Sequence, residues 1–360
     1  MRARPAVLAF LLAVGCRSLP PGAEVRRAIA EGRVEGRAIE GVPFVEQPSR
    51  GCGPAALASV LGFHGAEVSP KEIREQEIVP SRLGTYTYEL ALFARRRGLF
   101  ARDLRFPCEA EVSPMRRLLA LLDEGLPVVV LVRRGTPPFT NFHYVAVTGY
   151  DDTTGLVLFQ DGKTKDGVER YLSFQDDWHA GDHWALVVAP PERDFTFLTA
   201  EDRLELASLC EERGSWAEAS AHYAKVLEER PEDREALVGR AGALSHLGRV
   251  EEAGALFERT VAETPEDPRA LNNFALHLLR SGGDLERAES IARRALALAP
   301  ALSAYVEDTI GQILAARGDT AGARVAFESA LAGARPGEER LRREIREHLG
   351  TLQARGGASR

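Results

Sequence analysis

The second half of the chain repeats itself. Ala219, Ala253, Ala288 and Ala323 recur at intervals of 34, 35 and 35 residues. Four residues after each stands a second core position: Tyr223, Phe257, Ala292 and Phe327. Proline closes each unit at Pro231, Pro265, Pro300 and Pro336, and glycine breaks each at Gly214, Gly248, Gly282-Gly283 and Gly318. A period this long, punctuated in this way, specifies pairs of helices that stack on their neighbours. The small Ala lets two helices approach, the larger residue fills the next gap, and Pro ends the second helix of the pair. Cys210 falls on a core position of the first unit, which predicts a packing role.

This period and pattern resemble tetratricopeptide repeats. The resemblance implies an all-α solenoid over 201–352, about four units long, with residues 338–352 as a charged capping helix. It also implies a concave groove that receives a peptide or protein partner. The plainer alternative is that the array only spaces or stabilises the rest of the chain. The net charge is −7 with 28% charged residues, the wrong balance for a nucleic-acid binder. At 360 residues there is room for a second domain ahead of the array.

The N-terminus reads as a targeting segment. Arg2 and Arg4 precede an apolar run from Ala6 to Val14, which ends at Gly15-Cys16. A basic start, a short apolar core and small residues at the cut are the marks of secretion, and the core is too short to span a bilayer. Cys directly after Gly15 resembles the bacterial lipoprotein lipobox. That implies cleavage after residue 15, acylation of Cys16 and a tether over 16–40 on a cell-envelope membrane. A plain signal peptide with a chance Cys is the alternative.

Residues 41–190 carry mixed signals, helical first and β later, with 191–200 as a linker. Ser69-Pro70 and Ser113-Pro114 each open a helix, because Ser caps and Pro suits the first turn. Pro127 to Val132 is a β-branched run and reads as a buried strand. A strand from His143 to Tyr150 and another from Leu156 to Asp161 follow.

The chemistry gathers on four of these residues. Cys52 stands where the Gly51-Cys52-Gly53-Pro54 turn runs into an Ala-rich helix. A thiol at a helix N-terminus feels the positive end of the macrodipole, which favours the thiolate. His143, at the head of its strand, is placed to take the thiol proton and return it to a leaving amine. Asp161, at the end of the next strand, would hold the imidazole in one tautomer. Gln47 would offer its amide to an oxyanion. Such chemistry needs no metal and no organic cofactor. Each residue alone has a plain reading: an inert core thiol, a strand-edge His, a turn carboxylate before Gly162.

The set Gln47-x4-Cys52-Gly53-Pro54-Ala55-Ala56, then His143-Tyr144-Val145-x-Val147-x-Gly149-Tyr150-Asp151, then a strand ending in Asp161, resembles the papain-like bacteriocin-leader peptidases. The resemblance covers about residues 45–190 and implies an α+β papain-like fold that cleaves peptide bonds. Under it Cys52 matches the nucleophile, His143 the base, Asp161 the orienting carboxylate and Gln47 the oxyanion donor. That family commonly has Asp-Pro where this chain has Asp161-Gly162, which sets the loop after the carboxylate apart, and no transporter follows, so a coupled-export role is not implied and a double-glycine leader stays a family expectation. Two readings from other classes stay open: a catalytically silent scaffold for envelope protein-protein interaction, and a thiol acyltransferase or amidase acting on a non-protein substrate.

Two further features are expected to be structural. His179-x3-His183 has a spacing that ligates zinc on a helix, but Gly181 and the strand after it place the pair in a loop, with Trp178 and Trp184 packed on the sheet. Cys108, in a polar loop after Pro107, has no evident partner in the sequence.

Overall fold

A computed structural model describes residues 18–47, 51–76, 85–108, 111–135 and 138–357. The apolar run of 6–14 and the lipidation candidate Cys16 lie outside the described residues. The chain divides into two compact units at Pro190/Pro191.

The first unit opens with helix α1 (Gly22–Ala30) and strand β1 (Gly36–Ala38), where a tether over 16–40 was expected. The correction has a physical basis. Val25 packs with Leu156 and Leu158, and β1 pairs antiparallel with the far end of a long strand through Gly36–Asp151. Arg26 Nε meets Asp166 Oδ1 at 2.7 Å and adds a second anchor for the helix.

Helices α2 (Cys52–Phe63), α3 (Pro70–Glu75) and α4 (Thr87–Arg96) come next, then β2 (Phe100–Arg105) and α5 (Pro114–Asp123). Ser69 and Ser113 cap α3 and α5 by accepting from Glu72 N at 3.1 Å and Arg116 N at 3.4 Å. Strands β3 (Val128–Arg134), β4 (Asn141–Asp151), β5 (Leu156–Gln160) and β6 (Gly167–Arg170) follow, then α6 (Tyr171–His179) and β7 (Trp184–Ala189). The sheet runs β2-β7-β3-β4-β5-β6 with β1 also on β4, and every pairing is antiparallel. Strand β4 starts two residues ahead of His143, so His143 lies within the ladder, opposite Val132.

Helix α2 is buried from Gly53 to Leu61, as its lack of a polar face requires. It packs with α4 on one face of the sheet, where Leu57, Val60, Leu61, Leu90 and Phe93 meet Val129, Ala146, Leu186 and Val188. Val128, Val130 and Val132 point the other way and are fully buried too, so the sheet is covered on both faces. This core fixes the N-terminus of α2 against β4.

The second unit is helical: α7 (Ala200–Arg213), α8 (Trp216–Glu229), α9 (Arg234–His246), α10 (Val250–Glu263), α11 (Pro268–Arg280), α12 (Leu285–Leu298), α13 (Ser303–Ala316), α14 (Thr320–Gly333) and α15 (Glu339–Gly357). Ala219, Ala253, Ala288 and Ala323 are all completely buried, and Phe257 stacks on Phe274 at 5.6 Å. The stretch expected as a linker, 191–200, is packed onto the first helix pair. Pro191 O accepts from Cys210 Sγ at 3.2 Å and from His222 Nε2 at 2.9 Å, and Phe195 and Leu198 are buried. Those groups satisfy a helix pair that has no preceding repeat to cover it. Burial pushes the Cys210 thiol up to about 12, consistent with an inert core residue. No helix among the described residues is long and apolar enough to cross a membrane.

Candidate active site

Cys52 is the first residue of α2, and Gly51 is its N-cap. At this end the helix leaves amide groups without intrahelical acceptors. Strand β4 runs beside it and brings His143 to the thiol, with which it shares a hydrogen bond. Burial alone would push the Cys52 thiol up. Its pKa is nonetheless lowered, by the His143 hydrogen bond and charge and by the N–H groups of Tyr144 and Gly53. Burial likewise opposes the charged form of His143, yet the bond to Cys52 and the neighbouring thiolate raise its pKa, helped by Asp161. Both shifts favour a thiolate–imidazolium pair.

The third residue works differently from the expectation. His143 Nε2 lies 3.0 Å from the main-chain oxygen of Asp161, not from its carboxylate. A carbonyl only accepts, so Nε2 carries the proton and Nδ1 is the nitrogen left to the thiol. The Asp161 carboxylate is engaged in its own turn, where Oδ1 accepts from Lys163 N at 2.9 Å and Thr164 N at 2.6 Å. Gly162 makes this turn possible, with φ +77°, a conformation closed to proline. In this turn the oxygen that meets the base is the main-chain one. Tautomer control, assigned from the sequence to the side chain, belongs to the backbone.

Gln47 is brought to the same place. Its N–H donates to Gly162 O at 2.9 Å, and its side chain packs over Gly162. Its Oε1 is buried and has no hydrogen-bond partner among the described residues, so that oxygen is not committed to holding the fold.

These groups line a cleft of about 610 Å³, with Gln47, Cys52 and His143 on its wall. Thr85, Tyr86, Leu131, Phe142 and Lys163 also line it, and sequence reasoning did not find them. Their only advance signal was Asn141-Phe142 directly before His143; the others come from separate segments. Phe142 and Tyr86 are 57% and 53% exposed and leave aromatic surface open at the cleft.

Residues 39–183 match the Peptidase_C39 like family, and residues 212–273 and 255–303 match tetratricopeptide repeats. The first unit carries a C39-peptidase-like domain. The second is a tetratricopeptide array. Among solved structures, the peptidase domain of Streptococcus ComA, a bifunctional ABC transporter involved in quorum sensing, is 25% identical, over 41% of this chain and 98% of that one, with a TM-score of 0.34. A C39-like peptidase from Bacillus anthracis is 20% identical, over 43% and 98%, with a TM-score of 0.35. A tetratricopeptide protein of Thermus thermophilus is 26% identical, over 44% and 84%, with a TM-score of 0.39. No curated protein matches the chain.

Within the C39-like domain, then, Cys52, His143 and Gln47 line one cleft, and the Asp161 main-chain oxygen meets His143. The other two cysteines in the described residues lie elsewhere. Cys210 is in the array. Cys108, expected to lack a partner, has two: its Sγ lies 3.8 Å from His179 Nδ1 and 3.7 Å from His183 Nδ1.

Proposed function

We propose that the chain is a cysteine peptidase, held on a bacterial cell envelope by a lipid at Cys16, whose repeats recruit a protein partner or substrate. The observation that carries the catalytic part is the Cys52–His143 pair, with the thiol lowered and the imidazole raised, opening on the cleft.

The thiolate of Cys52 attacks the carbonyl carbon of a peptide bond, and the C=O π pair moves to oxygen. The Gln47 amide and the Cys52 N–H at the start of α2 are the donors at hand for that oxyanion. His143 gives its Nδ1 proton to the leaving amine as the C–N bond breaks, and an acyl-thioester remains on Cys52. His143 then takes a proton from water, which attacks the thioester and frees Cys52. The Asp161 main-chain oxygen keeps Nε2–H in place through both halves. The exposed Phe142 and Tyr86 support an extended peptide as the substrate.

Substrate trapping tests this reading. The Cys52→Ala full chain is incubated with envelope protein and its captured peptides are read by mass spectrometry. The peptidase reading predicts captured sequences that the wild type cleaves. Capture without cleavage by the wild type would leave a scaffold. Thioester formation at Cys52 with no peptide product would point to acyl transfer.

A further inference from the structure

We propose that Cys108, His179 and His183 form a binding site for a borderline-soft divalent cation of the zinc class, separate from the Cys52 cleft. Three segments that are distant in sequence build it. Cys108 follows the end of β2, His179 is the last residue of α6, and His183 immediately precedes β7. The β2–β7 register pairs Arg105 with Trp184 and so brings the three segments to one end of the sheet.

The distances carry the inference. A tetrahedral zinc with Zn–S of about 2.3 Å and Zn–N of about 2.0–2.1 Å needs sulfur and nitrogen about 3.6 Å apart. Here Cys108 Sγ stands 3.8 and 3.7 Å from the Nδ1 atoms of His179 and His183, and the three candidate ligand atoms all lie within 4.8 Å of one another. Hydrogen bonding accounts for both contacts only with Sγ donating to one ring and accepting from the other, whereas a cation engages the sulfur and both nitrogens at once. His183 sharpens the point. It is 3% exposed, and its Nε2 has no hydrogen-bond partner among the described residues, so Nδ1 is the atom through which this buried ring is satisfied.

The loop around the cluster is held against its preference. Asp182 and His183 have φ of 59° and 44°, left-handed values that non-glycine residues rarely adopt. Gly181 before them presses on β3, where a Cβ would fall 2.0 Å from Leu131 O. Trp178 Nε1 donates to Trp184 O at 2.8 Å and closes the loop. Asp182 is 82% exposed and paired with Arg105 at 3.0 Å, and its carboxylate does not join the three grouped ligand atoms. Cys108 and His179 are exposed, which leaves the fourth position to water.

One thiolate and two imidazoles select zinc over magnesium or calcium, which take oxygen ligands. The ion would tie the α6–β7 loop to the segment after β2. That loop abuts Leu131, a cleft residue, and leads into Trp184, whose ring stands on Tyr144 at 5.6 Å. The site is thus joined to two residues that line the cleft, Leu131 and Tyr144.

The test uses the untagged full chain carrying Cys16→Ser and Cys52→Ala, so that no other accessible thiol binds metal. Cobalt(II) is titrated in and followed by absorbance, and zinc then displaces it. The expected result is one equivalent with d–d bands of tetrahedral intensity and a thiolate-to-cobalt charge-transfer band. Cys108→Ser added to that parent should abolish the charge-transfer band, and His179→Asn should weaken zinc binding by at least about 100-fold, the upper end of what outer-shell changes cost. Both sites are exposed, and circular dichroism checks that each variant is folded. A parent without the charge-transfer band, or a Cys108→Ser variant that binds zinc as tightly as the parent, overturns the proposal.

Discussion

Asp161→Asn is expected to leave Cys52 reactive, and the reason lies in which oxygen meets the imidazole. His143 donates to the Asp161 main-chain oxygen at 3.0 Å, which the substitution does not touch. The carboxylate accepts from Lys163 N and Thr164 N, and an Asn Oδ1 can accept from both. Hydrogen bonds to charged groups contribute about 1.5–3 kcal/mol and neutral ones about 0.5–1.5, so the turn loses about 1 kcal/mol per bond and about 2 in all. What reaches His143 is the loss of one partly exposed negative charge. With the water-like screening of a solvated turn that is on the order of 1 kcal/mol, a change of up to about tenfold in rate. The assay is the rate of iodoacetamide addition to Cys52, read on its own peptide by mass spectrometry, beside thermal unfolding. The expected outcome is a lower Tm with alkylation within about tenfold of wild type. Turnover of any peptide the wild type cleaves should fall no further. A loss in turnover of about 10⁴-fold, as when a triad carboxylate orients its histidine, would refute the main-chain assignment.

Three other outcomes are expected. Because the Cys52 thiol is lowered and His143 raised, alkylation of Cys52 should persist to lower pH than that of an ordinary thiol. His143→Ala removes the partner but leaves the burial, so its pH profile should move to higher pH; an unmoved profile would mean that the pair is not coupled. Phe257→Ala should destabilise the array by about 3–5 kcal/mol, since a fully buried ring stacked on Phe274 is lost, and a urea titration showing under about 1 kcal/mol would contradict that packing. Cys16→Ser should move the protein from the membrane fraction to the soluble one, and unchanged fractionation would sink the anchor.

The repeats were legible because each helix pair is a local object. Ala253 and Phe257 lie one turn apart on α10, and their spacing alone puts them on one face. Cys52 was legible because it opens an apolar helical run, and His143 because a β-branched strand pattern follows it. Asp161 was read on its side chain because a sequence names side chains; that the backbone would reach His143 depends on the turn that Gly162 allows. Strand β1 escaped notice since its three residues are held by main-chain pairing to β4 and show no alternation. The partners of Cys108 were hidden for a related reason. His179 lies 71 residues away, and only the β2–β7 register joins them.

The account rests on Cys52 as a nucleophile toward peptide bonds. The most direct measurement is the set of new N-termini formed when a peptide library is incubated with wild-type chain and, in parallel, with Cys52→Ala. The prediction is a defined set of cleavages that vanishes in the variant while its thermal unfolding stays close to wild type. Identical N-termini from both proteins, or none from either, would contradict it.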